Sequence, residues 1–198
     1  RLHGTRRRVG RRRALSVQPS FCKGHYALGR LLHGRMQGAA TAHTAPGAMQ
    51  AYARAVACDA GDAEARNNMA ALWLAHVHAT KARQAGRGVA SGSHADPESV
   101  QEALRKAHEL YVTAVAVAPA DVPIRSNLGS ALEAAGRFPE ALTELTAALA
   151  MDPTHEEAQG NMALVLGIRL GRVAEAMPFY DTAVKLSSAP GRWRPLLE

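Results

Sequence analysis

The sequence of 198 residues has few of the features on which secreted and catalytic folds rely. It holds two cysteines, Cys22 and Cys58. They show no close pairing and no metal-type spacing, so both are expected to be small buried hydrophobes and a disulfide scaffold is not expected. Aromatics are only 5% of residues, so a helical core must come from small side chains that let helices approach closely. The longest apolar runs, around residues 111–118 and 162–168, fall far short of the ~20 residues that cross a bilayer. Neither a nucleophile signature nor a phosphate loop is present. Gly86-Arg87-Gly88 has no strand before it. His76 and His78 are two apart on a helix and do not share a face, while His94, His108 and His155 lack close carboxylate or cysteine partners. No metal site and no cofactor are expected.

Acid is absent from residues 1–13, where Arg1, Arg6, Arg7, Arg8, Arg11, Arg12 and Arg13 account for the whole formal charge of +7. The remaining body balances 17 basic against 17 acidic residues. Nucleic acid is therefore expected to bind only non-specifically, through this salt-sensitive arm. Three readings of the arm stay open: a nuclear or nucleic-acid-attracting tail, a remnant of an organellar targeting segment, or the solvated end of something longer. The chain opens on Arg with no secretory segment after it, so a processed or partial product is expected. The cytoplasm is the default location, with nucleus or organelle left open.

Two apolar-periodic halves stand out in residues 122–155. Ile124, Leu128, Ala131 and Leu132 share one helical face, and Ala141, Leu142, Leu145, Ala148 and Leu149 share another. A Gly-Arg-Phe-Pro turn joins them, with Pro139 where a helix begins and Pro153 just after one ends. A hairpin of this length cannot bury both stripes by itself, so it is a repeat that needs neighbours. Residues 22–62, 63–121 and 156–188 supply them. The second is lengthened by a Gly-, Ala- and Ser-rich loop over 84–96, followed by a helix near Pro97. Residues 37–47 read as a loop by composition. Residues 1–21 hold the basic arm and the tail of a partial repeat, since Ala14 to Pro19 matches Ala148 to Pro153 in pattern. In the tail, 189–198, Trp193 is expected to cover the last helix.

Matched residues carry a resemblance. Each unit has an apolar-small pair in its first helix: Leu28-Gly29, Met69-Ala70, Leu128-Gly129 and Met162-Ala163. Each second helix places Ala, a large residue four later and Ala three after that: Ala48, Tyr52, Ala55; Ala107, Tyr111, Ala114; Ala141, Leu145, Ala148; Ala176, Tyr180, Ala183. Small residues let helices approach to the short end of ~8–10 Å while the large one fills the groove beside them. The chain thereby resembles the tetratricopeptide repeat family. The resemblance implies an all-α fold, an α-solenoid of helix-turn-helix repeats in a right-handed superhelix, with four repeats over residues 22–188. It departs from the family pattern where a bulky aromatic is often found, with His25, Arg66, Arg125 and Gln159 there instead. Pro ends only two units, at Pro119 and Pro153.

In such an array the first helices line a concave groove, so the resemblance places recognition there. Asn68, Asn127 and Asn161 each precede the apolar-small pair. An amide offers a donor and an acceptor together and so suits the backbone of an extended peptide. The series resembles the peptide-gripping groove of O-linked N-acetylglucosamine transferases, while a bond between neighbouring helices or plain solvent exposure is the competing account. The family's two-carboxylate clamp is disfavoured, because Tyr26 and Arg30, Asn68, then Ser126 and Ser130 leave its later basic residues missing. Lys23, Arg30 and His33 suit one acidic group, against a reading as solvated charge. The candidate partner-binding residues are thus Asn68, Asn127, Asn161, Arg30, Lys23 and Tyr26, and no catalytic residue is expected. The expected function is a non-enzymatic scaffold for a protein or peptide partner, or a subunit of a larger complex. The alternative is the substrate-recognition part of an O-linked N-acetylglucosaminyltransferase whose catalytic domain lies outside the chain.

Overall fold

The computed structural model describes residues 19–36, 45–86, 97–189 and 193. They form eight α-helices with no strand among the described residues: α1 Pro19–Met36, α2 Ala45–Cys58, α3 Ala63–Gly86, α4 Pro97–Val117, α5 Val122–Ala134, α6 Phe138–Met151, α7 Glu156–Ala163 and α8 Val173–Leu186. Successive pairs pack as antiparallel hairpins, and each second helix also packs on the first helix of the next pair. The result is an all-α solenoid, because no hairpin can cover both its apolar stripes alone.

The start of each of the last three first helices is set by a side chain at the same place in the repeat. Asp62 Oδ1 accepts from Ala65 N at 2.7 Å, Asp121 Oδ1 from Ile124 N at 2.9 Å, and His155 Nδ1 from Ala158 N at 3.1 Å. Each satisfies a backbone donor that the helix itself leaves unpaired. The polar residues that stand in place of the usual aromatic have a related job. Arg66 donates to Asp62 O, Arg125 to Pro119 O and Gln159 to Pro153 O, at 3.1, 3.0 and 2.6 Å. Arg125 also pairs with Glu144 of α6 at 2.6 Å. These side chains tie each first helix to the turn before it.

The turns within the last two hairpins require backbone that few residues adopt. Gly136 and Gly171 have φ of 77° and 66°, the left-handed region that glycine enters without a Cβ penalty. In the last hairpin the additional residue enters the helix instead of lengthening only the turn. A π-helical stretch, Leu164–Arg169, continues α7, the usual way for a helix to absorb one residue.

Close approach at the small residues is visible at Gly129, where an added Cβ would lie 2.7 Å from Leu145 Cγ, and at Gly29, where it would lie 2.5 Å from Tyr52 Cε1. Ala141 and Ala148 are fully buried in the same layer. Ala148→Leu is accordingly expected to cost about 1–3 kcal/mol by overpacking. Urea unfolding would read this as a lowered midpoint at unchanged slope, and a wild-type midpoint would contradict the close packing.

Four sequence expectations are corrected. Cys22 and Cys58 are not separate buried thiols; they form a disulfide with Cα atoms 5.3 Å apart, inside the usual span for such a bond. The antiparallel pairing of α1 and α2 brings the start of one to the end of the other, which spacing along the chain does not reveal. Residues 45–47 and 84–86, expected in loops, belong to α2 and α3. The remainder of both loops, 37–44 and 87–96, lies outside the described residues. Pro19, expected in the tail of an earlier hairpin, opens α1, and residues 1–18 with the Arg-rich arm lie outside the described residues. Trp193, expected on the last helix, lies over α7. Its ring lies against Gly160 and its Nε1 donates to Glu156 Oε1 at 3.1 Å.

Candidate functional site

The first helices α1, α3, α5 and α7 present one face in register, and polar side chains on it connect across the helices. Tyr26 on α1 donates from its hydroxyl to Glu64 Oε2 on α3 at 2.6 Å and accepts from Asn68 Nδ2 at 3.3 Å. Asn67 Nδ2 donates to Asn68 Oδ1 at 3.4 Å, and Asn127 Nδ2 on α5 donates to Asn67 Oδ1 at 2.9 Å. Glu64, Tyr26, Asn68, Asn67 and Asn127 are therefore one hydrogen-bonded run over three helices. Its rungs repeat a rule: the residue three before the small one on one first helix meets the residue just before the apolar-small pair on the next.

Burial, reinforced by the hydrogen bond to Glu64, pushes the Tyr26 phenol up to about 12, so it remains a neutral donor at any physiological pH. Arg30 holds its guanidinium carbon 6.0 Å from the centroid of the Tyr26 ring, at the edge of cation-π range. Deeper on α1, burial lowers the His33 pKa and raises that of Tyr52, whose hydroxyl lies 3.4 Å from His33 Nδ1.

The six candidate residues thus separate. Tyr26, Arg30, Asn68 and Asn127 are brought together. Asn161 on α7 is half-buried and its side chain makes no hydrogen bond among the described residues, and exposed Lys23 makes no ion pair there. Asn161 is cut off from the run because Ser126, not a longer amide, occupies the matching place on α5; the Ser126 hydroxyl is buried and has no hydrogen-bond partner among the described residues. Glu64 and Asn67 belong to the run and were not singled out from the sequence. Asn67 carried a readable signal, since it stands at the same place in its repeat as Tyr26.

Further along the face, Arg169 Nε donates to Glu133 Oε1 at 2.5 Å, where Glu133 is buried, and Lys81 Nζ donates to Ala134 O at 3.0 Å. Two open clefts, of about 410 and 240 Å³, lie between α3 and α4 and among α4, α5 and α6; neither is lined by Tyr26, Asn68 or Asn127. Among the described residues no group of three or more His, Cys, Asp or Glu is placed to hold a metal ion. No helix there is long and apolar enough to cross a membrane.

The tetratricopeptide repeat family profile matches residues 101–156 and 127–191. Residues 101–191 carry tetratricopeptide repeats. No curated protein matches the sequence. Among solved structures, the repeats resemble MamA MSR-1 at 21% identity and a TM-score of 0.52, covering 83% of this chain and 76% of that one. They resemble a MamA RS-1 double mutant at 14% identity and 0.60, covering 86% and 76%. A Thermobaculum terrenum O-GlcNAc transferase mutant matches at 17% identity and 0.58, over 86% of this chain but only 26% of that one. At these identities the likeness is one of fold. The array is a solenoid of the tetratricopeptide type.

Proposed function

We propose that this repeat array is a protein-interaction scaffold that grips an extended segment of a partner along the face of its first helices. The carrying observation is the run from Glu64 to Asn127. Each amide in it has two N–H donors and a carbonyl with two lone pairs. Asn127 uses one N–H within the run and keeps its carbonyl unbonded among the described residues. The run therefore holds its amides in fixed orientation and leaves at least half the capacity of each for a peptide backbone, while the Asn161 side chain offers all of its own. Arg30 and Lys23 flank the α1 end and suit an acidic group on the partner. The array does binding and no chemistry in this reading.

Asn68, Asn127 and Asn161 changed together to Ala are expected to weaken a peptide ligand by roughly 30- to 150-fold, at about 1 kcal/mol for each lost hydrogen-bonding pair. Anisotropy titration with a labelled peptide from an affinity capture would measure it, with circular dichroism confirming that helicity is retained. Unchanged affinity would sink the groove.

The reading as the recognition part of an O-linked N-acetylglucosaminyltransferase draws on the Asn series alone. A longer gene product without a transferase domain would end it. Salt-sensitive nucleic-acid binding rests on residues 1–13, outside the described residues. The expectation of a cytoplasmic protein leaned on unpaired cysteines, and loses that support to the Cys22–Cys58 bond.

A further inference from the structure

The two ends of the described array expose the same surfaces that its interior buries. On α3, α5 and α7 one row packs against the preceding second helix: Ala65, Met69 and Leu72; Ile124, Leu128 and Ala131; Ala158, Met162 and Val165. All are buried except Met69, which is half-buried. The same row on α1 is Gly24, Leu28 and Leu31, where the two leucines are 45% and 57% exposed. Phe21, one turn earlier, is exposed as well.

The second helices show the complementary row. Met49, Tyr52 and Val56 on α2, His108, Tyr111 and Val115 on α4, and Leu142, Leu145 and Leu149 on α6 are each buried or half-buried. In all three the central residue is sealed. On α8 the row is Met177, Tyr180 and Val184. There Met177 and Val184 are 38% and 46% exposed, and Tyr180 is only half-buried. Trp193 lies over α7, against Gly160, and the α8 row keeps this exposure with Trp193 in place.

We propose that the α8 row of one molecule docks on the α1 row of a second copy, so that chains associate head to tail and continue the solenoid. The occupant follows from continuity: the chain already makes this second-helix to first-helix interface three times, at α2 with α3, α4 with α5 and α6 with α7. The row left open on α8 has the residue types of the rows that bind first helices, and the row left open on α1 has those that receive them. In each interior case this contact is broader than that between successive first helices, so Trp193 on α7 leaves the main surface available. The interface is heterologous, and nothing in it closes a ring.

Sedimentation velocity on the full chain tests the idea, with two variants at exposed positions, Leu31→Glu and Val184→Glu, that leave the hairpin cores untouched. The wild type is expected to gain mass with concentration, and each variant to remain at the 21.0 kDa of one chain. An equal mixture of the two variants retains one intact α8 row and one intact α1 row. It should therefore form a species of twice that mass and stop there. Loss of assembly in Val184→Glu but not in Leu31→Glu would show an α8-to-α8 contact and overturn the proposal. So would a wild-type monomer at every concentration. A photocrosslinker at position 31 then names the occupant: capture of α8 from a second copy supports the proposal, and capture of residues 1–18 of the same chain refutes it.

Discussion

Tyr111→Ala is expected to cost about 3–5 kcal/mol, the range for emptying an aromatic site in a core. Tyr111 is fully buried on α4, in the cluster that joins Ala70 and Leu74 of α3 to Leu128, Ala131 and Leu132 of α5. It therefore fills the space between two hairpins and not only within one. In a solenoid the stability is a sum of repeat terms and interfaces between neighbours. Removing Tyr111 acts on one such interface and should uncouple the first two hairpins from the last two. Urea unfolding followed by circular dichroism should lose its single step or show a smaller slope. Tyr111→Phe is the control. The hydroxyl makes no hydrogen bond among the described residues, and burial alone drives its pKa well above the ordinary phenol value. Phenylalanine should thus remain within about 1 kcal/mol of wild type. A large loss in Tyr111→Phe, or a single wild-type transition in Tyr111→Ala, would contradict this account of the interface.

Reduction of the Cys22–Cys58 bond is expected to cost about 2–4 kcal/mol, by restoring chain entropy to an unfolded loop spanning a sequence separation of 36. The loss should be local. The bond ties the start of α1 to the end of α2, and the first hairpin's cluster is small, built on Ala48, Tyr52, Ala55, Ala65 and Leu72. With α1 also exposing Leu28 and Leu31, this hairpin has little apolar burial beyond that cluster to hold it. Hydrogen exchange with and without reductant should show faster exchange in α1 and α2 and none of the change in α5 to α8. A double Cys22→Ser, Cys58→Ser variant should behave as the reduced protein does. An unaltered melting temperature under reductant would remove the disulfide from the stability of the fold.

The run at the first helices was half legible. Asn68 and Asn127 stood out because they recur before the apolar-small pair, and Tyr26 because it sits one helix earlier on the same face. Glu64 and Asn67 did not, because their part depends on which side chains meet across helices. The polar residues in the aromatic's place, Arg66, Arg125 and Gln159, read only as departures from the family pattern; the structure shows them bonding the preceding turn. That difference has a simple cause. Their partners are backbone carbonyls, which no residue pattern displays.

The helical hairpins, the small residues at their contacts and the repeat register were fixed by order along the chain, because helix faces and close approach depend on residues three, four and seven apart. Whatever joins residues remote in sequence was decided by packing. The Cys22–Cys58 bond needs two antiparallel helices to bring sulfurs together, the run from Glu64 to Asn127 needs three helices in register, and Trp193 needs the groove beside Gly160. The open rows on α1 and α8 belong to the same class. Their residues match the interior rows letter for type, and only the stacking of four hairpins leaves these two without a neighbour among the described residues.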